Sequence, residues 1–138
     1  MPLAQELEIV GDYLEIEKTR LGERLTYGVH VTGDAGAWDV PPLAVQTLVE
    51  NSIKHAIAPR PSGGHVRVEA AARNGRLVVG VWDDGPGFTL SAATPGHGLE
   101  NLQSRLNARF GDSATLSVAP RDGGTLVAVS LPRTATGA

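Results

Sequence analysis

The chain contains no cysteine, which excludes a disulfide framework, thiol chemistry and a cysteine-ligated zinc site, and is compatible with a cytoplasmic setting. Lysine is scarce: only Lys18 and Lys54 occur, the remaining basic residues are scattered arginines, and acidic residues outweigh them for a net charge of −3. That balance argues against a broad nucleic-acid-binding surface. No apolar run approaches the ~18 residues of a membrane span, and Met1–Val10 lacks the basic start and apolar centre of a secretory signal. Several catalytic signatures are missing too. There is no Gly-Lys and hence no P-loop, no His-Glu-x-x-His and no Gly-x-Ser-x-Gly. His30, His55, His65 and His97 are too dispersed to suggest a dedicated metal cage. Gly96-His97-Gly98-Leu99-Glu100-Asn101 starts like a dinucleotide fingerprint, but Asn stands where the third glycine belongs and a loop, not a strand, precedes it.

What remains is one ordinary domain's worth of chain, 138 residues with 41% hydrophobic content and no internal repeat. Leu3, Leu7, Val10, Leu14, Leu21 and Leu25 recur at three- and four-residue steps, interrupted by Glu17. The pattern predicts an amphipathic helix, either one edge of a coiled coil or a helix packed on its own domain. Leu25, Tyr27, Val29 and Val31 alternate as a half-buried strand, and Thr32 to Ala37 reads as a loop. A second helix is expected over about residues 43–58, with Val45, Val49, Ile53, Ala56 and Ile57 as its apolar stripe. Two strands, Val66–Ala70 and Leu77–Val81, flank Asn74-Gly75, a strong hairpin signal. A long loop spans Asp84 to Pro95. A third helix carries Leu99, Leu102, Leu106 and Phe110 and stops at Gly111. Strands over Thr115–Ala119 and Thr125–Leu131 flank the Asp122-Gly123-Gly124 turn, and Pro132–Ala138 is expected to be disordered. The order predicts an α+β domain with a mixed, largely antiparallel sheet and helices on one face.

Three segments carry more than a structural role requires. Asn51, Lys54 and His55 stand at i, i+3 and i+4, on one helix face opposite the apolar stripe. An amide, an ammonium and an imidazole there suit a metal ion and a polyphosphate, although a solvated polar face reads the same way. Trp82-Asp83-Asp84-Gly85-Pro86-Gly87-Phe88 puts a carboxylate at a strand end, followed by alternating glycines that let backbone pass close to a flat ligand. A plain turn would use the same residues. Gly96-x-Gly98 opens the third helix, where unpaired N–H groups and the helix dipole favour anions.

Together and in this order, these segments resemble the N, G1 and G2 boxes of the GHKL superfamily, the Bergerat ATP-binding fold of histidine kinases, gyrase, Hsp90 and MutL. The likeness is strongest to catalytic domains of LytS-type sensor histidine kinases. It is carried by Tyr13-Leu14-x-Ile16-Glu17-x-x-Arg20, by Pro41-Pro42-Leu43, and by Gln46-x-Leu48-Val49-Glu50-Asn51-x-x-Lys54-His55. Asp83-x-Gly85-x-Gly87, Gly96-x-Gly98-Leu99-x-Asn101 with Arg105-Leu106, and Gly124-Thr125 complete it. The match runs from about Leu3 to Leu131.

The resemblance implies a two-layer α/β sandwich with ATP lying between the helical layer and a lid. Carried over by position, Asn51 would hold Mg²⁺ through its amide oxygen, and Lys54 and His55 would touch the phosphates or ribose. Asp83 would accept the adenine amino group, Gly85 and Gly87 would shape the adenine pocket, and Thr125 would join through its hydroxyl or a water. Gly96 and Gly98, with Leu99 beside them, would hinge the lid and meet the phosphates. Arg105 would make a nucleotide contact or a structural ion pair. ATP-hydrolysing relatives carry a glutamate four residues before the N-box Asn. Here Thr47 occupies that position, and Glu50 is at most an accessory group, so slow hydrolysis is expected.

The family's phosphate-accepting histidine would precede Leu3. Residues 1–24 are therefore expected to continue a helix from a dimerisation and phosphoacceptor region, 25–131 to form the catalytic domain, and 132–138 to be a tail. Such a domain would bind ATP and Mg²⁺ without phosphorylating itself. It would work with its own phosphoacceptor domain and, through the full-length kinase, a response regulator. It would be cytoplasmic, with no nucleic-acid or membrane contact of its own, inside a membrane-bound sensor. Two other expectations fit the same boxes: a free-standing anti-sigma-factor serine kinase, and a nucleotide-responsive interaction module without transfer activity.

Overall fold

A computed structural model of the chain describes residues 1–85 and 98–132. Alternating apolar residues build five strands: β1 (Leu25–Thr32), β2 (Gly64–Arg73), β3 (Arg76–Asp83), β4 (Thr115–Arg121) and β5 (Gly124–Pro132). The β2–β3 hairpin turns at Asn74 (φ 52°) and Gly75 (φ 75°), and the β4–β5 hairpin at Asp122 (φ 48°) and Gly123 (φ 77°). Positive φ at both central residues matches the turn to the twist of the flanking strands. β5 lies against β3, giving the order β1-β2-β3-β5-β4, in which β1–β2 is parallel and the other pairs antiparallel. This register sets Asp83, the last residue of β3, opposite Thr125 near the start of β5.

Helices α1 (Leu3–Leu21), α2 (Ala44–Ser52) and α3 (Gly98–Phe110) form the second layer. Val45, Leu48 and Val49 of α2 and Leu102 and Leu106 of α3 are buried together with Val66, Val68, Val79 and Val81 of the sheet. α3 ends at Gly111 (φ 59°), the left-handed C-cap its sequence predicts.

α1 packs on its own domain, and its buried row is Leu3, Glu6, Val10, Leu14, Glu17 and Leu21. The reading as a helix of the domain holds. Leu7, part of the expected seam, is only partly buried, and Glu6 takes the inner position. β1 also departs from expectation. Leu25 is buried, but Val29 and Val31 are exposed on β1, which is an edge strand of the sheet. The Thr32–Ala37 loop contains a short 3₁₀ turn with Ala35 fully buried. Pro132 still belongs to β5, while 133–138 lie outside the described residues.

Candidate functional site

The α2 region departs from a single continuous helix. Leu43 precedes α2 in a left-handed conformation (φ 67°), so the helix starts at Ala44. After Ser52 the chain widens into a π turn over Ile53–Ile57, closed by an Ala58 N–H to Ile53 carbonyl bond of 2.8 Å. The expected i, i+3, i+4 face is corrected accordingly: Lys54 and His55 sit in the wide turn and lag the 3.6-residue repeat measured from Asn51. Both are exposed, and Asn51 is half-buried. Such π turns occur frequently at functional sites.

Two arginines satisfy carbonyls at the end of this turn, where helix geometry leaves them unpaired. Arg60 Nε donates to Ala56 O (2.6 Å), and Arg24 Nη2 donates to Ala58 O (2.8 Å) and Arg60 O (3.1 Å). Arg60 also pairs with Asp84 Oδ1 at 2.5 Å, which fastens the end of the turn to the end of β3.

Asp83 is almost fully buried, and its Oδ1 accepts the Gly85 N–H at 2.9 Å. Burial pushes its carboxyl above the ordinary aspartate range, and the nearby Asp84 charge pushes the same way. The Gly85 N–H, the Ser52 hydroxyl and the Arg60 charge act against that shift. Ser52 is fully buried beside the carboxyl, close enough to favour its ionised form but without a hydrogen bond of ordinary geometry. Across the register, Thr125 is buried as well.

Three glycines allow close approaches here: Gly85 at the carboxylate, Gly124 at the end of β3, and Gly98 at α2. A Cβ at Gly85 would stand 2.5 Å from Ala56 Cβ and 3.0 Å from Asp83 Oδ1. One at Gly124 would stand 2.0 Å from the Asp83 carbonyl oxygen, and one at Gly98 would stand 3.0 Å from Thr47 Cγ2. The start of α3 thus lies against α2. Gly85→Ala is expected to destabilise the protein by about 1–3 kcal/mol through overpacking, read as a lower urea midpoint with unchanged slope.

Asn51 Nδ2 is buried with no hydrogen-bond partner among the described residues. Leu99 has its side chain in the core, seating α3, so any contact with a ligand would fall to its backbone. Arg105 donates through Nη2 to the Pro42 carbonyl, tying α3 to the entry of α2. Gly87 and Gly96 lie outside the described residues. The Thr47 hydroxyl is bonded back to Leu43 O at 2.8 Å, and Glu50 accepts from Gln46 Nε2 at 3.1 Å. The Tyr13–Arg20 motif closes on itself: Arg20 holds Glu17 through Nη2 (2.6 Å) and Nε (3.2 Å). Burial, followed by the Glu17 and Glu50 charges, pushes the Tyr13 hydroxyl up to about 12.

Two residues escaped the sequence reading. Ser52 occupies a core-facing position of α2, and a lone hydroxyl on an apolar stripe was the available signal. Glu6 is fully buried on α1, and its carboxylate accepts the N–H groups of Leu43 (3.0 Å), Val45 (2.5 Å) and Gln46 (3.1 Å). A cavity of about 500 Å³ lies on the sheet face turned away from the helices, lined in part by His30, Arg67, Glu69, Gly80 and Arg121. None of the sequence-predicted site residues line it.

A mixed five-stranded sheet backed by helices, with a buried carboxylate at a strand end beside the end of α2, defines the class of GHKL-type ATP-binding domains. The sequence profile described as Histidine kinase-, DNA gyrase B-, and HSP90-like ATPase matches residues 41–135, and the chain belongs to that family. Family membership implies ATP as the ligand. The chain is 33% identical over 144 residues to the Sensor protein LytS of Staphylococcus epidermidis, covering 94% of this chain and 24% of the relative. It therefore spans about a quarter of that relative's length. Its fold resembles the catalytic domain of histidine kinase ThkA (TM-score 0.77, 15% identity, 97% of this chain and 95% of the other). It also resembles ThkA solved in complex with response regulator protein TrrA (TM-score 0.73, 13% identity, 97% and 41%).

Proposed function

We propose that this chain is the ATP- and Mg²⁺-binding catalytic domain of a LytS-like sensor histidine kinase. In this reading it hands the γ-phosphoryl group to a histidine on a separate dimerisation and phosphoacceptor domain, which residues 1–24 adjoin. The observation that carries the reading is Asp83. A nearly buried carboxylate whose ionised form is disfavoured by burial is a costly feature that a purely structural role leaves unexplained. It is suited to accept a hydrogen bond from an exocyclic amine in a dry pocket, with Thr125 beside it.

The donor set fits the metal as well. The Asn51 amide offers a hard oxygen of the kind Mg²⁺ prefers, and the partnerless Nδ2 leaves that amide unengaged among the described residues. When bound, the ion would neutralise charge on the phosphates. Asn51 would orient it, and Lys54 and His55 would stand at the phosphates or ribose. Gly87, Gly96 and Gly98 belong to the proposed adenine pocket and lid.

Position 47 supports transfer over hydrolysis. The Thr47 hydroxyl is bonded to the Leu43 carbonyl and offers no carboxylate, and Glu50 is engaged by Gln46, so neither position supplies a free carboxylate to activate water. Positioning and charge neutralisation are then the domain's contribution, and the nucleophile comes from elsewhere. A response regulator as downstream partner, and a membrane-bound parent that keeps this domain in the cytoplasm, complete the proposal.

Titration calorimetry with ATP is expected to show saturable binding that strengthens with Mg²⁺. Labelled ATP is expected to leave no phosphate on the isolated chain and to label a histidine-bearing phosphoacceptor domain added in trans. Steady-state hydrolysis of several turnovers per second by the chain alone would overturn the transfer reading, and lack of ATP binding would overturn the whole of it.

A further inference from the structure

We infer that Glu6 is a positioning residue for the nucleotide site: its carboxylate, supplied by α1, caps the N-terminus of α2 and so sets where Asn51 stands. The inference rests on the functional reading above for what Asn51 does, and on geometry for the rest. An α-helix leaves its first N–H groups unpaired, and an acceptor from the preceding residues normally satisfies them. α2 lacks such a local cap. The residue before it is Leu43, and no side chain from the immediate entry segment bonds its first turn. The acceptor comes instead from 37 to 40 residues upstream, where both Glu6 oxygens take the N–H groups of Leu43, Val45 and Gln46.

Two further observations show that this junction is held under constraint. Leu43 keeps a left-handed backbone at φ 67° without being glycine, a conformation that persists only where the surroundings enforce it. Arg105 of α3 contributes its positive charge to the Glu6 carboxylate while donating to the Pro42 carbonyl. Helices α1, α2 and α3 therefore meet at one buried carboxylate. α2 is a short rod, and Asn51 lies in its last turn, so a shift at Val45 carries through to Asn51. One residue along a helix is about 1.5 Å, more than the tolerance of a hydrogen bond.

The test compares Glu6→Gln with a control of similar stability loss, Leu131→Ala, whose side chain is buried in β5 at the far end of the strand from Thr125. Glutamine keeps the shape but turns one acceptor into a donor facing an N–H group. In the nucleotide-free protein, Glu6→Gln is expected to speed amide exchange at Leu43, Val45 and Gln46 by at least tenfold, with sheet amides little changed. Mg²⁺-dependent ATP affinity is expected to fall by about tenfold. Leu131→Ala is expected to retain affinity within twofold at a matched loss of melting temperature. Glu6→Asp, which keeps the charge and shortens the reach, is expected to fall between parent and Glu6→Gln, and it carries the comparison if Glu6→Gln does not fold. Equal affinity in the Glu6 variants and the parent overturns the inference, as does an equal loss in Leu131→Ala. A parent chain that binds no ATP overturns the functional reading itself, a distinguishable result.

Discussion

Asp83→Asn is expected to lower ATP affinity by about 10- to 100-fold and to erase discrimination between adenine and other bases. Leaving a buried hydrogen-bonding group mismatched costs about 1–3 kcal/mol, and each 1.4 kcal/mol is a factor of ten in binding. The substituted amide can place a donor where the adenine amine also donates. Competition binding with ATP and GTP reads both effects, and an unchanged preference for ATP would remove the adenine assignment.

The same substitution has the opposite sign for the nucleotide-free fold. Burial raises the Asp83 carboxyl above its ordinary value, so the native state holds its proton more tightly than the unfolded chain does. The stability this group contributes is fully present below about pH 4, the ordinary aspartate range, and is lost as pH rises through the elevated native value. At pH 7 the nucleotide-free Asp83→Asn variant is therefore expected to melt at or above the parent temperature, with the difference closing on acidification. A group that weakens the empty protein and strengthens the loaded one is the usual signature of a binding site.

Asn51→Ala is expected to abolish most of the Mg²⁺-dependent gain in ATP affinity, at least tenfold, while metal-free binding stays within about threefold. The amide oxygen is the proposed ion ligand, and a side-chain methyl offers none. The fold is expected to survive intact, because Nδ2 has no partner among the described residues to lose. Titrations with ATP in Mg²⁺ and in a chelator make the comparison, and equal loss in both would assign Asn51 to the nucleotide rather than the metal.

Local signals in the chain explain most of the elements. The Asn74-Gly75 and Asp122-Gly123 turns, the Gly111 stop and the apolar stripe of α2 each depend on neighbours within a few residues. α1 illustrates the limit: Leu7 and Glu6 both fit a three- or four-residue step, and hydrophobicity favours Leu7. The helix is nonetheless rotated to bring Glu6 inward, because the otherwise unpaired N–H groups of Leu43, Val45 and Gln46 lie there.

The composition and spacing of this chain by themselves determined its α+β class and its hairpins, since periodicity and turn chemistry are properties of short stretches. Only the tertiary structure decided that Asp83 faces Thr125, that the end of α2 opens into a π turn, and that a distant carboxylate caps that helix. Strand register and burial are set when the whole sheet and its helical layer close together. No stretch of a few residues contains that information.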